Sequence, residues 1–183
     1  MIGGDDGRVE ELTPSPLLLA AIGYADKGWK VFPLHTPNLD GTCSCMKSRC
    51  PDVGKHPRTE HGVKAATTEL ETINQWWTWW PQANIGIATG STSGIVVIDI
   101  DGDRGGIESW QEFQDMHGRI ETLASTTGAG LHLYLICPSG VSLKSISNGL
   151  GRGIDVKAEG GYVVAPPSLH WNGNRYRWDA EEE

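Results

Sequence analysis

Apolar and polar residues alternate along several short stretches of this chain, and one of them ends unusually. Ile95-Val96-Val97-Ile98-Asp99-Ile100-Asp101 is a β-branched run closed by two acids, the pattern of a buried strand. Side chains alternate faces along a strand, so Val97, Asp99 and Asp101 share one face and Ile98 and Ile100 the other. Upstream, Ser15-Pro16 before Leu17-Leu18-Leu19 reads as a capped helix start, with Gly28 as its stop. Trp29–Leu34 reads as a strand, followed by a long connection over 35–66. Thr68 and Glu71 fit a capping box for a helix that runs to Trp80 and stops at Pro81. Trp76, Trp77, Trp79 and Trp80 are expected mostly in the core, with a base-stacking platform as the alternative. Asn84–Thr89 is a strand, and Gly90–Gly94 reads as a hairpin-like turn into the Asp99 strand. Gly106–His117 is a helix with Ile107, Trp110, Phe113 and His117 inward, closed by Gly118. Leu131–Cys137, Gly153–Lys157, Tyr162–Ala165 and Arg175–Trp178 are strands, and 138–152 is a Ser/Gly-rich loop. Helices and strands mix without regular βαβ alternation and without an internal repeat. That predicts an α+β fold with mixed or antiparallel sheets.

At 183 residues the chain suffices for one domain with a proper core. The reading places that domain at 16–178, between acidic tails at 1–15 and 179–183. Net charge is −8, which at first argues against a nucleic-acid partner. Its distribution weakens the objection: residues 1–11 carry −3 and 179–183 carry −4, leaving −1 for the body. Between Cys43 and Lys64, Lys47, Arg49, Lys55, Arg58 and Lys64 face only Asp52 and Glu60. A local patch of this kind can meet a phosphate backbone. With no membrane-length apolar run and no leader pattern, the expected location is the cytoplasm, and no membrane partner is expected.

Two neighbouring carboxylates on one strand face repel unless a cation lies between them. Asp99 and Asp101 therefore suggest a divalent metal with oxygen ligands; the competing reading is that one of them opens the Gly102-Asp103 turn. Cys43, Cys45, Cys50 and His56 form a dense Cys₃His set, which suits one tetrahedral structural Zn²⁺. His61 is a rival fourth ligand, and free thiols in a polar loop are the competing reading. Cys137 follows an apolar strand and is expected to pack as a small buried residue. His132 follows the Gly128-Ala129-Gly130 turn, where backbone can approach a phosphate; a structural histidine is the alternative. Asp155 lies between Ile154 and Val156, and its partner is either Lys157 or the same metal as Asp99 and Asp101.

Taken together, Ile98-Asp99-Ile100-Asp101, Gly130-Leu131-His132 and Ile154-Asp155 resemble the three catalytic motifs of the bifunctional primase–polymerase domain. That domain belongs to the archaeo-eukaryotic primase superfamily and occurs in phage and plasmid replication proteins. Gly54-Lys55-His56-Pro57-Arg58, Ala66-Thr67-Thr68, Trp76-Trp77, Asn84-Ile85-Gly86-Ile87 and Gly160-Gly161-Tyr162 through Pro166-Pro167-Ser168 extend the resemblance over roughly residues 17–178. One departure is Gly130, where many members carry Ser; Thr126 and Thr127 are candidate hydroxyls in its place. The resemblance implies an RRM-like catalytic half joined to an N-terminal α/β unit. It implies template-directed transfer of NTP or dNTP on single-stranded DNA template and primer, as primase, polymerase or both. Asp99, Asp101 and Asp155 would hold two Mg²⁺ or Mn²⁺, and His132, Lys157 and Arg152 would meet the triphosphate. The zinc loop 43–56 would present Lys47, Arg49, Lys55 and Arg58 to DNA and leave nucleotide binding nearly unchanged when lost. A helicase often lies downstream in such proteins. A metal-dependent nuclease or phosphoesterase, and a non-catalytic zinc-dependent nucleic-acid-binding module, are the competing functions.

Overall fold

The computed structural model describes residues 14–179; the acidic tails expected at 1–15 and 179–183 fall almost wholly outside them. Helix α1 spans Pro16–Asp26, and Ser15 Oγ accepts from the Leu18 N–H at 3.1 Å. Leu17, Ala21, Tyr24 and Ala25 recur at helical spacing and are buried, so one stripe faces the core. Helix α2 spans Leu70–Trp79. Its start differs from the capping box expected at Thr68: Glu69 is the cap and makes no side-chain bond, while Thr67 Oγ1 accepts from the Glu69 N–H. The four tryptophans divide as well. Trp77 is buried, Trp76 and Trp80 pack on the core, and Trp79 is exposed.

Strands β1 (Val31–Leu34), β2 (Asn84–Ala88) and β8 (Tyr162–Ala165) form a three-stranded antiparallel sheet in the order β1-β2-β8. The larger sheet holds β3 (Ile95–Asp101), β4 (Ala124–Thr126), β5 (Gly130–Ile136), β6 (Ile146–Gly151), β7 (Ile154–Lys157) and β9 (Arg177–Trp178). Its order is β6-β7-β3-β5-β4-β9, and all its neighbours are antiparallel. The turn at Gly90–Gly94 therefore does not close a ladder between β2 and β3. It carries the chain from one sheet to the other, with a single bridge from Gly90 to Ile95.

Helix α3 (Gly106–His117) crosses from β3 to β4. The four strands β7-β3-β5-β4 with that crossover match a split β-α-β-β-α-β unit, but β6 replaces the second helix. That strand lies inside the stretch expected to be loop. Ile107 and His117 of α3 are exposed rather than inward, whereas Trp110 is buried and Phe113 stacks on it.

The strand alternation read from 95–101 places two cores. Val97 joins Tyr134, Ile85, Ile87, Ile73 and α1 in the core between the sheets and helices. Ile98, Ile100, Leu133 and Ile154 pack under α3 on the other face. Cys137 is buried beside Val96 and Ala158. Asp99 shares the Val97 face, so its carboxylate opens toward the space between the two sheets. No helix among the described residues is long and apolar enough to cross a membrane.

Candidate functional site

Asp99 sits on the central strand of the large sheet and is paired on both sides. Its Cα partner is His132 on β5 and Asp155 on β7. Three residues scattered over more than fifty positions are thus brought abreast by two antiparallel ladders. His132 Nε2 lies 3.3 Å from Asp99 Oδ1. Lys157 Nζ lies 3.0 Å from Asp155 Oδ2 and 3.5 Å from Asp99 Oδ2. Arg104 links the other pair: its Nε donates to Asp101 Oδ2 at 2.7 Å and its Nη2 to Asp155 Oδ2 at 3.2 Å. Shared cations thus link the carboxylates: Lys157 joins Asp155 to Asp99, and Arg104 joins Asp155 to Asp101.

Those cations set the protonation state. Burial pushes the Asp99 carboxyl up, but the His132 hydrogen bond and the charges of His132, Lys157 and Lys55 outweigh it and hold the group at about 2. Asp155 is buried and also raised by desolvation. The Asn148 N–H on Oδ1 at 2.9 Å, Lys157 and Arg104 bring it below the usual carboxylate range. Asn148 sits at φ +53 within β6, where the register with β7 is irregular, and its Oδ1 accepts from the Gly153 N–H. Nothing in the sequence pattern marked Asn148 or Arg104 as neighbours of the acids.

Asp99 and Asp101 open on a cleft of about 380 Å³, within the range of small-molecule sites; Asp155 lies outside its lining and joins it through Lys157. Asp99, Asp101, His132 and Lys157 form its sheet wall, while Lys55, Tyr162 and Trp171 come from outside that sheet. His132 is 5% exposed, and its Nδ1 is buried without a hydrogen-bond partner in the protein. A buried polar atom of that kind at a cleft wall calls for a partner.

The Gly130 departure has a steric reason. A Cβ there would stand 1.9 Å from the Ile100 carbonyl oxygen, so the strand crossing beside the acids excludes any side chain. Of the two threonines offered in its place, Thr127 lines the cleft, whereas Thr126 lines an adjoining hollow and its Oγ1 faces the Arg177 carbonyl. Arg152 is exposed and lies over Gly105, outside the cleft lining. The expected triphosphate set therefore loses Arg152 and Thr126 on geometry.

The second cluster lies in the 35–66 connection. One ligand atom each from Cys43, Cys45, Cys50 and His56 lies within 4.8 Å of the others, and all four cysteines of the chain are free thiols. Cys43 Sγ and His56 Nε2 are 3.4 Å apart, near the roughly 3.6 Å edge of a tetrahedral Zn site with S and N ligands. The donor chemistry and spacing fit zinc. His61 is exposed at the start of a 3₁₀ turn and lies outside the group. The Lys47 backbone N–H lowers the Cys45 thiol, while burial pushes Cys50 up to about 11. His35, which the sequence reading passed over, stacks on His56 at 4.3 Å.

Of the four basic residues expected to face DNA, Lys47 and Arg49 are exposed. Arg58 instead turns inward: it donates to the Leu34 carbonyl at 3.1 Å and Ser44 Oγ at 2.8 Å, and its guanidinium lies 5.6 Å from the Trp80 ring centre. It clamps the loop to β1. Lys55 faces the cleft that Asp99 and Asp101 line. Its carbonyl accepts from Tyr162 Oη at 3.0 Å, and the neighbouring Gly54 carbonyl accepts from Asn84 Nδ2 at 2.9 Å.

Ionised acids with interleaved cations in an open polar cleft have the chemistry to bind phosphate groups and cations. The family is shown independently: the family model for the N-terminal domain of bifunctional DNA primase/polymerases matches residues 21–183, and the chain belongs to that family. A search of the curated proteins finds no match. Membership makes this a primase/polymerase-type nucleotidyltransferase domain acting on DNA and nucleotides.

Proposed function

We propose that the cleft performs template-directed nucleotidyl transfer, with Asp99, Asp101 and Asp155 as ligands of two Mg²⁺ or Mn²⁺. The observation that carries this is the convergence of Asp99, His132 and Asp155 across β5-β3-β7, with Asp101 two residues further along β3. Hard carboxylate oxygens already sharing cationic partners fit divalent ions. When bound, such ions supply activation of the primer 3′-hydroxyl and charge neutralisation on the triphosphate. The protein's own part is positioning. Depressed carboxyl groups stay ionised at neutral pH. Lys157 and Lys55 offer ammonium donors to phosphate oxygens, and His132, which lines the cleft beside Asp99, is the imidazole contact to the triphosphate. The 3′-hydroxyl loses its proton to solvent, its oxygen bonds to the α-phosphorus, the bond from that phosphorus to the α–β bridging oxygen breaks, and pyrophosphate leaves. Cys43, Cys45, Cys50 and His56 hold one structural Zn²⁺, with no ligand position left for catalysis. The resemblance to phage and plasmid replication proteins supports a role in copying such replicons.

The test is incubation with primed and unprimed single-stranded templates, separate NTP and dNTP sets, and Mg²⁺ or Mn²⁺. Template-dependent products are expected. Release of nucleotides from DNA without incorporation would establish the nuclease reading instead. DNA binding that persists in Asp99→Ala and Asp101→Ala, with no activity to lose, would establish a binding module.

A further inference from the structure

Beside the cleft lies a second hollow of about 410 Å³, lined by Thr126, Thr127, Gly173, Asn174, Arg175 and Arg177. Thr127 lines both, so the two adjoin. No carboxylate lines the hollow. Arg175 and Arg177 flank the buried Tyr176 and so project to the same side, with their side chains starting about 6.7 Å apart. Both are exposed, and among the described residues neither is in an ion pair. Arg175 Nη1 donates to the Pro167 carbonyl at 2.9 Å, which fixes its direction and leaves other guanidinium donors over.

The segment is not a loose loop. Leu169 and Arg175 form a bridge, and Asn172 Nδ2 and Asn174 Nδ2 both donate to the Gly128 carbonyl, at 2.8 and 3.3 Å. His170 is buried directly on Gly128, where a Cβ would stand 1.8 Å from its Nδ1. Trp171, next to that anchor, is 55% exposed and forms part of the cleft lining. An indole this exposed, on an anchored turn at the mouth of a nucleotide-sized cleft, leaves a π-face free for a base.

We infer that residues 171–177 are the entry track for the single-stranded DNA template. Arg175 and Arg177, with the Thr126 and Asn174 side chains, hold the sugar-phosphate backbone in the hollow, and Trp171 stacks a base as the strand passes into the cleft. The inference rests on the polymerase reading, which it deepens by naming the template's path. It also moves the main DNA contact away from the zinc loop to the β4–β9 edge.

The experiment measures binding of a labelled single-stranded oligonucleotide over a salt series for the wild-type chain, Arg175→Gln/Arg177→Gln, Arg177→Gln alone and Trp171→Ala. Each lost phosphate contact should reduce the log–log salt slope by about 0.7. The double variant should therefore lose about 1.4 in slope, so its affinity deficit relative to wild type should grow about 25-fold between 1 M and 0.1 M salt. The Arg177 variant, which keeps the Arg175–Pro167 contact, should lose half that slope. Trp171→Ala should weaken binding at least about 5-fold with the slope unchanged. Nucleotide affinity should stay within about twofold in the two arginine variants. Unchanged slope and affinity in the double variant overturn the template track. A wild-type chain that binds DNA through these arginines yet incorporates no nucleotide overturns the polymerase reading and leaves the DNA site standing.

Discussion

Loss of zinc should weaken nucleotide binding, contrary to what the sequence alone suggests, and Lys55 is the reason. Lys55 precedes the ligand His56 and lines the same cleft as Asp99. A lysine–phosphate contact is a charge-assisted hydrogen bond of about 1.5–3 kcal/mol. Lys55→Ala should therefore raise the nucleotide Kd about 10- to 150-fold, with Lys55→Arg recovering part of it. Cys45→Ser acts at one remove. It should abolish zinc binding and release residues 38–52, but the segment carrying Lys55 keeps other anchors. The His35 N–H donates to the His56 carbonyl at 2.9 Å, and the Arg58 N–H to the Pro33 carbonyl at 3.0 Å. Tyr162 and Asn84 hold the Lys55 and Gly54 carbonyls. The Lys55 position should thus loosen rather than vanish, which corresponds to a loss of about 2- to 5-fold, well below the direct substitution. Zinc content is read by elemental analysis and nucleotide affinity by equilibrium binding of a non-hydrolysable dNTP. If Lys55→Ala binds nucleotide normally and loses only DNA affinity, Lys55 is a template contact and the coupling argument fails. If Cys45→Ser loses zinc while Lys55→Ala alone is impaired, the loop's other anchors suffice and zinc has no hold on the cleft.

Three further outcomes test the sheet wall. Asp101→Asn should cut incorporation by at least about 100-fold, because a metal ligand is lost, while the melting temperature moves by less than about 4 °C; the half-exposed Arg104–Asp101 pair is worth at most about 1 kcal/mol. Near-normal incorporation would refute the assignment of metal ligands. Arg104→Ala should tighten Mn²⁺ binding in the absence of nucleotide by about fivefold, since a cation shared by Asp101 and Asp155 competes with a bound ion; a calorimetric titration showing weaker binding would make Arg104 a supporting group instead. Gly130→Ser should lower the melting temperature by at least about 4 °C, because the new Cβ meets the Ile100 carbonyl, and an unchanged melt would show that the strands can part there freely.

The legible part of this molecule was the part written in strand and helix periods. The 95–101 run revealed the central strand and the face its acids share, and Ser15-Pro16 revealed the start of α1. What stayed hidden depended on contacts between distant segments. Ile146–Gly151 carries no alternation, and it becomes a strand because β7 offers an edge and Asn148 turns the chain at positive φ. The Gly90–Gly94 turn has hairpin chemistry, yet tertiary packing sends its two strands to different sheets. Basic residues between and just after the zinc ligands read alike in sequence. In the fold, two stay at the surface, Arg58 is drawn onto Leu34, Ser44 and Trp80, and Lys55 enters the cleft. Arg104 was invisible for the same reason: only the 3₁₀ turn after β3 folds its guanidinium back between Asp101 and Asp155.

The two walls of the cleft differ in how firmly they are made, and that difference bears on order of binding. Asp99 and His132 lie on adjacent central strands of a six-stranded sheet, with a packed layer beneath them. Their geometry is set by ladders that cannot shift without moving the core. Lys55 belongs to a long connection whose outer half depends on four ligands meeting at one point. A triphosphate that touches both walls therefore gains from a loop already fixed, because the ordering cost is met before the nucleotide arrives. On this argument the zinc loop acts as a preformed second jaw. Its contribution should appear in nucleotide affinity first, with template capture governed by Trp171, Arg175 and Arg177.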